Sequence, residues 1–293
     1  MSKRWTRQEV ENRLAKLRTL LKERFQHCAI KTFSLIGSSA LSDNKTSLWS
    51  NDVDTSIIAD PVTPQLLEEI ERISAEICEE LTDDTFDVEF VIRSGPMKLA
   101  KDPNKSHILL HHAVYTSEEY RKESVLLKYS WKHSETVLVG KSLVETSDVN
   151  GLTFDDVINA HSGLKNCIEM LEKKITRYKG WDRDGDSVIP VLKEMPVAGV
   201  DLIEIAFYSV LNTTMNIMRA INKQPYHHCE SLWQAFPSSF PAKRATLPLE
   251  FYNLKRKIRE GTQTVNQQLI DEVVASSLNF LRECEIVIKK QKS

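Results

Sequence analysis

The chain is 293 residues long, with 39 Lys+Arg against 41 Asp+Glu and a net charge of −2. Its 41% apolar content is enough for packed cores, which excludes wholesale disorder, and the near-neutral balance argues against a protein that holds extended nucleic acid through a basic surface. Nine glycines in this length disfavour a turn-rich all-β fold, so helix should dominate.

Met1 to Arg7 is basic but leads into an amphipathic stretch, so it does not read as a signal peptide. Thr6 and Glu9 have capping-box spacing, and Val10, Leu14, Leu17, Leu21 and Phe25 follow at helical intervals. Ile30–Ile36 is a mostly apolar run ending at Gly37 and predicts a buried strand, and Asp52–Ala59, rich in Val, Thr and Ile, predicts a second. Leu67, Ile70, Ile73, Ile77 and Leu81 mark a helix with Thr63 as N-cap and Pro64 at its first position. Phe86–Ile92 and His107–Tyr115 read as further strands, Glu118–Tyr129 as a helix and Thr136–Val139 as a short strand.

After Gly151 the strand signals stop. Thr153 is expected to cap a helix reaching Tyr178, and Gly180–Pro196, with its aspartates, glycines and prolines, to be a loop. Helices follow at about Leu202–Asn222, Cys229–Phe236, Leu247–Glu260 and Val265–Lys289. The fold class is therefore α+β: a small mixed β-sheet domain with flanking helices over residues 1–150, then an all-α helical bundle over 151–293. The first part carries 20 Lys+Arg and 24 Asp+Glu, the second 19 and 17, so the excess acid lies with the strands. No apolar run approaches the ~20 residues of a membrane span. Cys28, Cys78, Cys167, Cys229 and Cys284 are odd in number and widely spaced, which fits reduced, mostly buried thiols in a cytoplasmic protein.

The chemistry concentrates in three stretches. Gly37-Ser38-Ser39 ends the first strand in a small-residue turn that lets a phosphate chain approach the main chain. Asp52 and Asp54 lie two apart in a strand and so share a face, and Asp87 and Glu89 repeat that arrangement. Carboxylates converging on one face repel unless a cation sits between them, and hard oxygen ligands of this kind suit Mg²⁺ shared with substrate phosphates. Two such ions would activate an attacking hydroxyl and stabilise the leaving oxygen.

Gly-Ser, a spacer, Asp-x-Asp and a later strand acid resemble the nucleotidyltransferase superfamily that includes DNA polymerase β and kanamycin nucleotidyltransferase. The motifs cover residues 30–92, and the second half resembles the helical HEPN-type domain often fused to such enzymes. The resemblance implies that Gly37 and Ser38, with Ser39 assisting, hold the triphosphate of an NTP. It implies that Asp52 and Asp54 bind two Mg²⁺ ions and that Asp87 or Glu89 is the third carboxylate. Glu89 is favoured by its place between Val88 and Phe90, although strand parity does not separate the two. The expected reaction moves an NMP from the NTP to a hydroxyl of a small acceptor and releases pyrophosphate. A homodimer that completes the site is within the same expectation. The alternative is a regulatory nucleotide-binding or antitoxin-like interaction protein with little turnover.

Three other patterns are set aside. Asp182-x-Asp184-Gly-Asp186 starts like a calcium loop, but Ser187 and Lys193 occupy positions that need Gly and Glu, so an acidic surface loop is expected. Arg219 and His227 are divided by Pro225, against the helical Arg–His spacing of a HEPN ribonuclease. His111 and His112 are strand neighbours that face opposite sides and do not jointly hold one ion.

Overall fold

The computed structural model describes residues 7–37, 40, 52–84, 86–93, 106–143, 147, 149–227, 229–259 and 262–292. The fold is mixed α+β, and among the described residues helix outweighs strand, 55% to 21%, as the scarcity of glycine predicts.

Five strands form the main sheet: β1 (Thr32–Ile36), β2 (Asp52–Ile58), β3 (Phe86–Val91), β4 (Ser106–Tyr115) and β5 (Glu135–Gly140). Their order is β3-β4-β2-β1-β5. β2, β3 and β4 are parallel, whereas β1 runs antiparallel to both β2 and β5. β4 thus lies between the two acid-bearing strands. It is buried without interruption from Ile108 to Tyr115. A central strand covered on both faces has no reason to alternate polar with apolar residues, and its sequence does not.

One face of the sheet packs against α1 (Arg7–Phe25) and α2 (Pro64–Leu81). Thr63 caps α2 by accepting from the Leu66 N–H at 3.1 Å, with Pro64 at the first position, as the sequence predicts. Ile70, Phe33, Ile57 and Leu110 are 0% exposed in this layer, each stabilising the fold by roughly 1.5–3 kcal/mol. His112 is buried among them. Its ring nitrogens meet Thr55 Oγ1 at 2.7 Å and Ser74 Oγ at 3.0 Å. Burial first, and the neighbouring His111 second, push its pKa down to about 3.

The opposite face is closed at one end by aromatic side chains. Tyr120 of α3 (Ser117–Arg121) stacks on Trp131 of α4 (Val125–Lys132) at 5.8 Å, and both pack on Tyr115, Ile58 and Ala113. The single helix expected over 118–129 is therefore two. It divides at buried Glu123, whose side chain accepts from the Ser124 N–H at 2.8 Å.

The remaining elements are α5 (Phe154–Asn159), α6 (Leu164–Lys173), β6 (Ile175–Asp184), β7 (Ser187–Pro196), α7 (Gly199–Asn222), α8 (Glu230–Ser239), α9 (Leu247–Arg259) and α10 (Gln267–Lys292). Thr153 does cap a helix, through a capping box with Asp156. That helix ends at Asn159, however, and the run to Tyr178 is broken. α7 is buried along most of its length by α6, α9 and α10, in a core that includes Phe207, Phe236, Phe251 and Phe280. No helix among the described residues is long and apolar enough to cross a membrane.

The second half is not all-α. The stretch read as a loop is a ten-residue-a-side hairpin, in register from Ile175↔Pro196 to Asp184↔Ser187. Its two-residue connection begins with Gly185 at φ +58°, the position that a type II′ hairpin gives to glycine. An isolated two-stranded hairpin is marginal in water. This one is anchored on the sheet and on α2: Trp181 Nε1 donates to the Val114 carbonyl at 3.0 Å, Arg183 pairs with Glu68 of α2 at 2.6 Å, and Arg93, just after β3, lies over the Tyr178 ring at 4.7 Å. β3 pairs with β4 only as far as His111, so Trp181 caps β4 where its partner strand has ended.

Candidate active site

Gly37 follows β1 at φ +70°. A Cβ built on it would stand 3.3 Å from Asp54 Oδ2. Gly37 and the second acid of Asp-x-Asp therefore face each other so closely that a side chain on the glycine would be crowded, although they lie 17 positions apart in sequence. The Gly37 N–H was expected to be open to a phosphate. It instead donates to Ser134 Oγ at 3.2 Å, and that hydroxyl donates to the Ser130 carbonyl at 2.7 Å. Ser38 and Ser39, the other two residues of the expected phosphate turn, lie outside the described residues, as does the side chain of Asp52.

Strand register orders the acids. Asp54 pairs with His111, and Asp52 with Leu109. Glu89 also pairs with Leu109, from the other side of β4, while Asp87 pairs with His107. Asp52 and Glu89 thus occupy one row of the sheet. Asp87 is one row beyond, level with His107, which precedes the β4 residues that pair with Asp52–Ile58. The register separates two residues that parity alone could not, and it places Glu89 nearer to the Asp52–Asp54 pair. Asp54, Asp87 and Glu89 are half-buried. The Cys78 thiol of α2 is pushed up to about 12 by burial and then by the charge of Glu89.

The row sets a condition on any cation. Two strand spacings separate the backbones of Asp52 and Glu89 by about 10 Å. Side chains reaching inward from both backbones can close on a single cation as readily as on a pair. Among the described residues alone, no group of three or more His, Cys, Asp or Glu is arranged to hold a metal ion.

Burial raises the Tyr208 hydroxyl pKa, the Cys167 thiol adds to it, a hydrogen bond with Asn212 opposes, and the charges of Asp54 and Glu123 add a little more. One tyrosine of the helical half therefore senses an acid of the sheet and an acid of the α3–α4 junction. Beside it, Glu123, with its side chain 1% exposed, pairs with Lys179 of β6 at 2.6 Å. Lys179 stands between two clefts. One, of about 290 Å³, lies under the hairpin and is lined by Arg93, Tyr115, Glu119 and Trp181 among others. The other is lined by Ser124, Asp155, Asn159 and His161.

Sequence reasoning singled out none of Ser134, Tyr208, Glu123 or Lys179. Only the Gly185-Asp186 pair, a recognised hairpin signal, could have pointed to the element that carries Lys179. The five cysteines form no disulfide, and Cys78, Cys167 and Cys284 are buried. Compared with known proteins, the chain matches no protein-family model and no curated protein.

Proposed function

We propose that the protein is a metal-dependent nucleotidyltransferase that moves an NMP from an NTP to a hydroxyl of a small acceptor. The observation that carries this reading is the closeness of Gly37 to Asp54, whose Oδ2 would lie 3.3 Å from a Cβ built on the glycine. It brings a phosphate-compatible turn and a metal-type carboxylate to one point, with Asp52 and Glu89 in the adjoining row.

In this reading Asp52, Asp54 and Glu89 would hold Mg²⁺, which would supply charge neutralisation for the triphosphate and lower the pKa of the attacking hydroxyl. The acceptor oxygen forms a bond to the α-phosphorus, the bond from that phosphorus to the β-bridging oxygen breaks, and pyrophosphate leaves. Glu89, across β4 from Asp52 and one row from Asp54, would be the carboxylate that takes the acceptor's proton. Gly37 keeps the turn free of a side chain where the triphosphate passes. Tyr208 and Asn212 on α7 border the acceptor side and orient it, and the anchored hairpin restricts water. No protein nucleophile is required.

The test is pyrophosphate release from each of the four NTPs with Mg²⁺ and a panel of hydroxyl acceptors. Turnover that is lost in Asp54→Asn supports the reading. Equal NTP binding by wild type and Asp54→Asn, with no turnover on any acceptor, rejects it in favour of a regulatory nucleotide-binding protein.

A further inference from the structure

Arg219 lies in the last turn of α7 and is 1% exposed. Its Nε and Nη2 donate to the Tyr226 carbonyl at 2.9 and 2.6 Å, and Nη1 donates to Asn216 Oδ1 at 3.1 Å. These bonds use three of the five guanidinium N–H groups. Among the described residues no carboxylate pairs with Arg219. A buried guanidinium is ordinarily paired with an acid, because an uncompensated charge away from water costs several kcal/mol.

The neighbours of Arg219 are also cationic or basic. Its Cζ stands 5.5 Å from the Tyr129 ring centre, and the His133 ring packs on the same tyrosine at 4.6 Å. His227 follows Tyr226, whose carbonyl Arg219 grips. Burial and then the charges of Arg219 and Lys132 hold His133 below its usual pKa. Burial and then Arg219 and His133 do the same to His227. The nearest acid along this segment, Glu230, is turned elsewhere: it accepts from Gln234 and acts on Tyr252. The carbonyl ends of α4 and α7 offset part of the positive charge. Both histidines are half-buried and so reach the surface.

We propose that Arg219, His133 and His227 form a binding site for a phosphate group, either free phosphate or a phosphate monoester. The two guanidinium N–H groups that these bonds leave over, one on each Nη, can meet two phosphate oxygens, and the two imidazoles supply donors once protonated. Neutral histidines in the free protein must take up protons to serve as donors, so phosphate binding strengthens as pH falls from 7.5 towards 6. The site does not depend on nucleotidyl transfer. It lies at the ends of α4 and α7, one residue along the chain from Ser134.

The experiment is histidine-selective NMR of the full chain, titrated with inorganic phosphate against chloride at equal ionic strength. Phosphate is expected to shift the His133 and His227 signals saturably and to raise both pKa values, leaving exposed His27 unmoved. Arg219→Gln should weaken that response at least tenfold. If Arg219→Gln does not fold, His227→Gln on the exposed side should weaken it at least threefold. Tighter binding of ribose 5-phosphate than of phosphate assigns the site to esters, and the reverse assigns it to the free ion; either supports the site. Identical shifts in phosphate and chloride, or a phosphate response undiminished by these substitutions, overturn it.

Discussion

Gly37 and Asp54 are held so closely that a single methyl group on the glycine would sit 3.3 Å from the carboxylate oxygen Oδ2. Two costs follow for Gly37→Ala. The left-handed backbone at φ +70° strains an L-residue by roughly 1–2 kcal/mol. The methyl also displaces a carboxylate by a few tenths of an ångström, and displacements of about 1 Å at a reacting centre can cost a hundredfold. Urea unfolding of Gly37→Ala should show a loss of about 1–2 kcal/mol. Pyrophosphate release should fall by at least about tenfold, more than the lost stability explains.

The row shared by Asp52 and Glu89 predicts unequal roles for the two acids of β3. Glu89→Gln should reduce nucleotidyl transfer at least about a hundredfold, comparable to the loss of one charge-stabilising group in other active sites. Asp87→Asn, one row away, should retain most of the activity. Steady-state assays of both variants with the same NTP and acceptor decide the matter, and an Asp87→Asn defect larger than that of Glu89→Gln would refute the register argument.

Glu123 and Lys179 join the α3–α4 junction to the hairpin at 2.6 Å, with the carboxylate 1% exposed. Removing only the lysine leaves a buried charge with its remaining contact to the Ser124 N–H. Lys179→Met should therefore cost about 3 kcal/mol, and Glu123→Leu added to it should restore most of that loss. Chemical denaturation of the two variants against wild type checks both expectations. Protease cleavage within the hairpin should rise in the single variant and fall back in the double.

His112 gives the fold a defined acid limit. In the unfolded chain its pKa is near 6.5, and in the folded protein burial lowers it to about 3. Between those values the unfolded chain binds the extra proton. The His112 contribution is therefore fully present above about pH 6.5 and is lost as pH falls towards 3, by up to about 5 kcal/mol. His112→Gln should flatten this part of the stability–pH curve between pH 6.5 and 4, seen as a smaller shift of the urea midpoint. It should also lower stability at pH 7.5, because it disturbs the contacts with Thr55 and Ser74.

Much of this protein was legible locally. Thr63 and Thr153 announce helix starts because a side-chain oxygen accepting an orphan N–H is a property of three or four consecutive residues. The strand bearing Asp54 and the one bearing Glu89 were legible because β-branched and aromatic residues suit a pleated, half-buried surface. The hairpin was misread because Asp, Gly and Pro in Gly180–Pro196 outweighed its alternation, and because two strands on their own have too little to bury. Only Trp181, Arg183 and Lys179, by meeting Val114, Glu68 and Glu123, make it an ordered element.

The sequence by itself determined that the chain is mixed α+β, where most elements begin, and that small residues and acids recur at strand ends. Tertiary structure alone decided which of them meet. Strand order put β4 between β2 and β3, and its register set Glu89 beside the Asp52 row and Asp87 outside it. Packing put Tyr208 of α7 within reach of Asp54's field and buried Arg219 beside two histidines that the chain keeps far apart. Caps and periodicity are decided over a few residues. Register and the burial of a charge depend on contacts between segments dozens of residues apart, which no local pattern encodes.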